Sequence, residues 1–176
     1  MKLSFNFLCI LLLLFISCKN DTQPNEKELK IKQLQLENKL LEYNTKWIDI
    51  ENDRIANYLK KKKWTMHETG TGLRWQILKN GDGDSAHIGT NVVIKYKVFL
   101  IDDTEIYSSD DLGYKSFVVG RGNVERGLEE GILLLKVGDI ARFILPSHLA
   151  YGLIGDRNKI PEKASLIYEL ELIKVE

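Results

Sequence analysis

Hydrophobic residues follow three different rhythms along this chain. Phe7 to Ile16 is an unbroken apolar run. Between about Glu26 and Lys62, Leu34, Leu41, Ile48 and Ile55 recur every seven residues, with Leu40 and Trp47 beside them, which predicts one or two amphipathic helices. Three residues after each lie Glu37, Asn44, Glu51 and Tyr58, so a strict coiled-coil seam is not satisfied; a helix that docks on a domain or self-associates weakly is expected. After Thr69-Gly70-Thr71-Gly72 the period becomes two: Leu73, Trp75 and Ile77 alternate with Arg74 and Gln76, and Asn80-Gly81-Asp82-Gly83 makes a turn. Val92–Ile101, Phe117–Val119, Ile140–Leu145 and Leu166–Leu172 read as further strands, the last alternating with Glu169 and Glu171. Asn123 is placed as the N-cap of a short helix from about Val124 to Leu134. Antiparallel-looking strands with one short helix predict an α+β domain over residues 65–176, the helix covering one face of a sheet.

The ten-residue apolar run is half the length a membrane-spanning helix needs, roughly 20 residues, and follows Lys2, so residues 1–17 read as a secretion signal. Phe15-Ile16-Ser17-Cys18 resembles the bacterial lipobox, which makes Cys18 the acylated N-terminus of the mature chain and residues 18–25 a polar tether. Cys9 and Cys18 are the only cysteines, leaving no disulfide to an exported domain. Lys19 after the cysteine favours the outer membrane of a bacterial envelope under lipoprotein sorting rules. The 176 residues carry 25 basic and 25 acidic side chains, a balance that argues against nucleic acid as a partner. His67, His87 and His148 show no metal-ligand spacing, and no nucleophile motif surrounds Ser108 or Ser109. Any site must therefore work without metal, cofactor or nucleophile.

From about Thr69 to Glu176 the chain resembles the FKBP-type peptidyl-prolyl cis-trans isomerases. The resemblance rests on Gly72-Leu73, Gly81-Asp82-Gly83, Val93-Ile94-Lys95-Tyr96, Ile106-Tyr107-Ser108-Ser109, Phe117-Val118-Val119-Gly120, Val124-Glu125-Arg126-Gly127-Leu128-Glu129-Glu130-Gly131, Lys136-Val137-Gly138-Asp139, Ala150-Tyr151-Gly152 and Ile160-Pro161 in that order. It implies an antiparallel sheet wrapped on a short helix and catalysis of X-Pro rotation in proline-containing polypeptides. It also implies an apolar pocket lined by Tyr96, Ile106, Phe117, Val124, Leu128, Ile160 and Tyr168, with substrate hydrogen bonds from the Tyr151 hydroxyl and the Glu125 backbone N–H. Three departures stand out. Tyr107 occupies the position of the family's pocket Asp, Leu128 that of a common Trp, and Lys115 that of an aromatic, so lowered or retuned activity is expected at a pocket that includes Tyr107. The whole architecture also resembles gliding-motility-associated lipoprotein isomerases. The helical segment, residues 26–64, is then expected to serve either homodimerisation or docking to an envelope partner.

Overall fold

The computed structural model describes residues 25–176, so the expected signal, the expected lipidation at Cys18 and most of the expected tether fall outside the described residues. The seven-residue rhythm forms one continuous helix, α1 (Glu26–Lys62), and not two. Glu26 and Glu28 in its first turn and Lys60, Lys61 and Lys62 in its last complement the helix dipole. The run of four lysines from Lys60 to Lys63 thus marks the helix end, and Lys62 pairs with Asp103 at 2.8 Å. No described helix is long and apolar enough to cross a membrane.

The chain divides after Thr45 into two compact units. The described part of the first is the beginning of α1, where Leu29, Leu34, Leu36, Leu40 and Leu41 are exposed. The second, Lys46–Glu176, contains the rest of α1 together with the sheet. Its elements are β1 (His67–Glu68), β2 (Arg74–Lys79), β3 (Asn91–Leu100), β4 (Glu105–Ser108), a one-turn α2 (Ser109–Leu112), β5 (Lys115–Val118), α3 (Arg126–Ile132), β6 (Ile140–Leu145), a 3-10 turn (Ser147–Leu149) and β7 (Leu166–Val175). The sheet order is β1-β2-β6-β7-β3-β4, with β5 also on β3, and every pairing is antiparallel.

Alternation sends Val92, Ile94, Tyr96 and Val98 of β3, Ala141, Phe143 and Leu145 of β6, and Leu166, Tyr168, Leu170 and Leu172 of β7 into one core with Leu128 and Ile132 of α3. Val98, Tyr168 and Phe143 lie side by side across three strands. The helix can approach this closely because its surface there is glycine: a Cβ on Gly131 would stand 2.5 Å from the Phe143 ring. Asn123 is not the N-cap. That position falls to Glu125, with φ −58° and ψ 138°, and α3 begins at Arg126. The helix stops at Ile132, short of Leu134, because the chain tightens to turn Leu135 into the core, with Leu134 N–H on Gly131 O at 3.1 Å and Leu135 N–H on Ile132 O at 3.0 Å.

Ile144 and Ile167, paired across β6 and β7, point to the other face of the sheet and are also fully buried. Their cover is the C-terminal half of α1: Ile55 and Tyr58 join them in a second core, flanked by Leu59, Trp64, Met66, Phe99 and Ile101. Around its edge Tyr58 donates to Asp103 at 2.5 Å. The Arg142 guanidinium binds Glu169 at 2.6 and 2.9 Å while lying 3.5 Å over the Trp64 ring. Ile55 has no exposed surface, so Ile55→Ala should leave a cavity and cost about 2–5 kcal/mol, read as a lowered denaturant midpoint at unchanged slope.

Candidate functional site

Three segments meet where α3 enters the core. Asn123, Val124 and Glu125 lead into the helix, β5 supplies Lys115, and the long connection from β6 to β7, residues 146–165, supplies Ala150 and Tyr151. With Gly122 they line a cavity of about 250 Å³. A connection of this length, with one 3-10 turn as its regular structure, is typical of a functional loop. It is nonetheless ordered by internal bonds. Gly152 N–H donates to Ser147 O at 2.8 Å, Lys163 N–H to Gly152 O at 2.9 Å, and Asp156 Oδ1 accepts the N–H groups of Asn158 and Ile160, each at 2.8 Å. Gly155 sits at φ +71°, where a Cβ would lie 2.1 Å from Ile160 O, so only glycine closes this turn.

Of the residues picked out from the sequence, Val124, Glu125 and Tyr151 line the cavity. Tyr96, Ile106, Phe117, Leu128, Ile160 and Tyr168 are at most 6 % exposed and packed in the domain core, with Val124, Tyr107 and Ala150 against it; Tyr168 reaches the cavity wall through Glu125 and Tyr96 through Lys115. Tyr151, at 36 % exposed, is the aromatic that presents itself to solvent at the rim.

The side chain of Glu125 is the feature the sequence reading passed over, having used only its backbone N–H. As the N-cap its amide is among those a helix start leaves without intrahelical partners, but its carboxyl turns inward and is buried. Tyr168 donates to Oε1 at 2.7 Å. Oε2 has no hydrogen-bond donor, and Lys115 Nζ stands 3.7 Å from it and 5.6 Å over the Tyr96 ring. Burial and then the Glu125 charge hold the phenols of Tyr96, Tyr151 and Tyr168 above the usual tyrosine range. All three therefore remain hydroxyls, able to donate, throughout the physiological range. The signal that could have found this network was present: a carboxyl directly before a Gly-containing helix, a Tyr among the apolar residues of the last strand, and Lys115.

Tyr107, at the other end of the site, replaces a carboxyl but keeps one close: its hydroxyl donates to Asp156 Oδ2 and accepts from Asn158 Nδ2 at 3.2 Å. Lys159 Nζ binds Ile106 O at 2.9 Å and lies 5.3 Å over the Tyr107 ring. β4 is thereby tied to the loop that carries Tyr151. Among the described residues no His, Cys, Asp and Glu side chains gather as a metal site; His148 binds Thr71 O and His67 stacks on Trp75.

An antiparallel sheet wrapped on one short helix, with a tyrosine-rimmed cavity at the helix entrance, defines a class of small α+β binding and isomerase domains. Residues 83–173 match the family model described as FKBP-type peptidyl-prolyl cis-trans isomerase. The chain is 38 % identical over 107 residues to peptidyl-prolyl cis-trans isomerase Fkbp12 of Drosophila melanogaster, covering 60 % of this chain and 99 % of that one. To the FKBP-type peptidyl-prolyl cis-trans isomerase FkpA of Aeromonas hydrophila it is 31 % identical over 171 residues, which are 90 % of this chain and 63 % of the relative's length. The crystal structure of FkpA from Escherichia coli matches the fold with a TM-score of 0.61 at 24 % identity, over 100 % of this chain and 84 % of that one. The chain belongs to the FKBP-type peptidyl-prolyl cis-trans isomerase family.

The Asp156 carboxyl is held below its ordinary range: burial pushes it up, but the Tyr107 hydroxyl and the N–H groups of Ile160 and Asn158 together outweigh that. A carboxyl depressed by folding contributes stability above its unfolded value, near 3.9, and loses it as pH falls through the folded value. Tyr107→Phe removes one of these donors. The Asp156 carboxyl should then titrate at higher pH in a carbon-detected NMR titration, and acid should loosen the loop at a higher pH than in the wild type.

Proposed function

We propose that this protein accelerates the cis-trans isomerisation of X-Pro bonds in proline-containing polypeptides, and that it serves the folding of exported proteins while anchored at the bacterial envelope, at the outer membrane, through lipid on Cys18. The observation that carries the reading is the convergence of the Tyr151 hydroxyl and the Glu125 N-cap on one cavity whose wall is tied to Tyr96 and Tyr168 of the core. Rotation about the amide must surrender resonance, against a barrier of roughly 18–20 kcal/mol. A site that removes water from the planar, dipolar amide and offers donors fitted to the twisted one lowers that barrier with no covalent step. Tyr151 O–H and the Glu125 N–H are the donors; Val124 and Ala150 exclude water at the opening, with Ile106, Leu128 and Ile160 packed in the core. Uncatalysed X-Pro isomerisation takes tens to hundreds of seconds, long enough to limit folding, which gives such a catalyst a use outside the cytoplasm.

A second reading is a weakly active or inactive module of the same fold that binds clients or belongs to an envelope machine. The ammonium of Lys115 beside the cavity favours it, because it places charge where a proline ring would seek apolar contact. In a protease-coupled assay on X-Pro peptides, the full chain purified in detergent should raise the isomerisation rate above background, and Tyr151→Phe should lower kcat/KM about tenfold, the loss of one hydrogen bond worth 0.5–1.5 kcal/mol. No rate above background, with Tyr151→Phe identical to wild type, would leave the binding module as the function.

The exposed leucines of the first unit support homodimerisation through α1. Leu34 and Leu41, 58 % and 64 % exposed and seven residues apart, are the positions to test. The full chain should sediment as a dimer and the Leu34→Glu/Leu41→Glu variant as a monomer; a wild-type monomer would leave an envelope partner as the helix's ligand.

A further inference from the structure

Glu51 is only 3 % exposed and has no part in the chemistry above. It belongs to the C-terminal half of α1, yet its carboxyl accepts three hydrogen bonds from far along the chain. Ser147 N–H donates to Oε1 at 2.7 Å, Ser147 Oγ to Oε2 at 3.1 Å, and Ser165 Oγ to Oε1 at 2.7 Å. Ser147 stands just after β6 and Ser165 just before β7, so one side chain from the helix fastens both ends of the connection that carries Tyr151, Asp156 and Ile160. Coverage of the sheet does not require it: Ile55, one turn on, covers the sheet with carbon alone, and a buried carboxyl costs several kcal/mol unless its oxygens are satisfied. From Ser147 the path to the cavity is short. Its N–H and hydroxyl are held by Glu51, its carbonyl accepts Gly152 N–H at 2.8 Å, and Gly152 O accepts Lys163 N–H at 2.9 Å, which fixes the backbone on the C-terminal side of Tyr151.

We propose that Glu51 is a positioning residue of the isomerase site, clamping the two ends of the 146–165 loop so that the Tyr151 hydroxyl stays over the cavity. The C-terminal half of α1 is then part of the catalyst and not only a spacer before it. This rests on the isomerase reading, and the experiment separates the two. The full chain in detergent is compared with Glu51→Ala, Glu51→Gln, Ile55→Ala and Tyr151→Phe, well below every variant's melting temperature.

Glu51→Ala should lower kcat/KM severalfold, up to but not beyond the loss in Tyr151→Phe, because it misplaces the hydroxyl that Tyr151→Phe removes. Glu51→Gln, which keeps an acceptor oxygen, should recover most of it. Ile55→Ala, which weakens the same helix contact without touching the loop, should keep the wild-type value. In a Tyr151→Phe background Glu51→Ala should add little, since the two act on one hydroxyl. Independently of turnover, the Gly152 and Ile160 amide resonances should move in Glu51→Ala and stay in Ile55→Ala. An inactive wild type would sink the isomerase reading while those resonances still report on the clamp. Unmoved resonances, a Glu51→Ala rate equal to wild type, or a loss shared equally by Ile55→Ala would overturn the proposal.

Discussion

The burial of the sheet on both of its faces is the constraint from which the rest follows. At Phe143-Ile144-Leu145 and Leu166-Ile167-Tyr168, β6 and β7 place apolar side chains on both sides at once. The inner side is closed by α3, which comes close to Leu145 through Gly127 and to Phe143 through Gly131. On the outer side Met66, Phe99 and Ile101 flank Ile144 and Ile167 but are themselves only partly buried, and burying each isoleucine is worth about 1.5–3 kcal/mol. The C-terminal half of α1 supplies that cover with Ile55 and Tyr58. Once the helix lies there, Glu51 and Asn52, on the turn before Ile55, reach Ser147, Ser165 and Arg74 at the edge of the sheet. A hydrophobic requirement on the outer face thus brings a polar clamp to both ends of the loop that carries Tyr151.

Much of this was legible in the sequence because period-two and period-seven patterns report which side chains face a core. The long strands and the extent of α1 follow from them directly. What periodicity could not supply were the elements too short to show a period: β1, α2, the 3-10 turn and the late start of α3. The start of α3 was misread because Asn123 has the better capping side chain, whereas Glu125 takes the cap position by backbone conformation and spends its side chain on Tyr168. The outer-face packing did leave a trace. Three consecutive apolar residues in β6 and again in β7 break the alternation at paired positions, the mark of strands buried on both sides.

The candidate site was legible as a set of residues and illegible as chemistry. Tyr96, Phe117 and Tyr168 face one core because strand alternation and register dictate it, and Leu128 meets them there from α3. Whether the space they enclose is apolar depends on side-chain directions that no sequence rhythm encodes. Glu125 turns inward, Lys115 lies over Tyr96, and Tyr107 and Asp156 join strand to loop. Each position read alone is a departure from an apolar or acidic norm. Read together they compensate one another: the carboxyl absent at 107 stands at 156, and the polar side chain at 168 meets the one at 125.

That compensation has a physical cost and a physical use. Burying the Glu125 carboxyl has a desolvation cost, which the Tyr168 hydroxyl at 2.7 Å and the Lys115 ammonium at 3.7 Å offset. Its use is order: the carboxyl holds the Tyr168 hydroxyl and the Lys115 ammonium in one arrangement at the cavity wall. The bonds from Ser147 and Ser165 to Glu51 hold the ends of the neighbouring loop in the same way, and a site that works through hydroxyls and amides depends on their holding still.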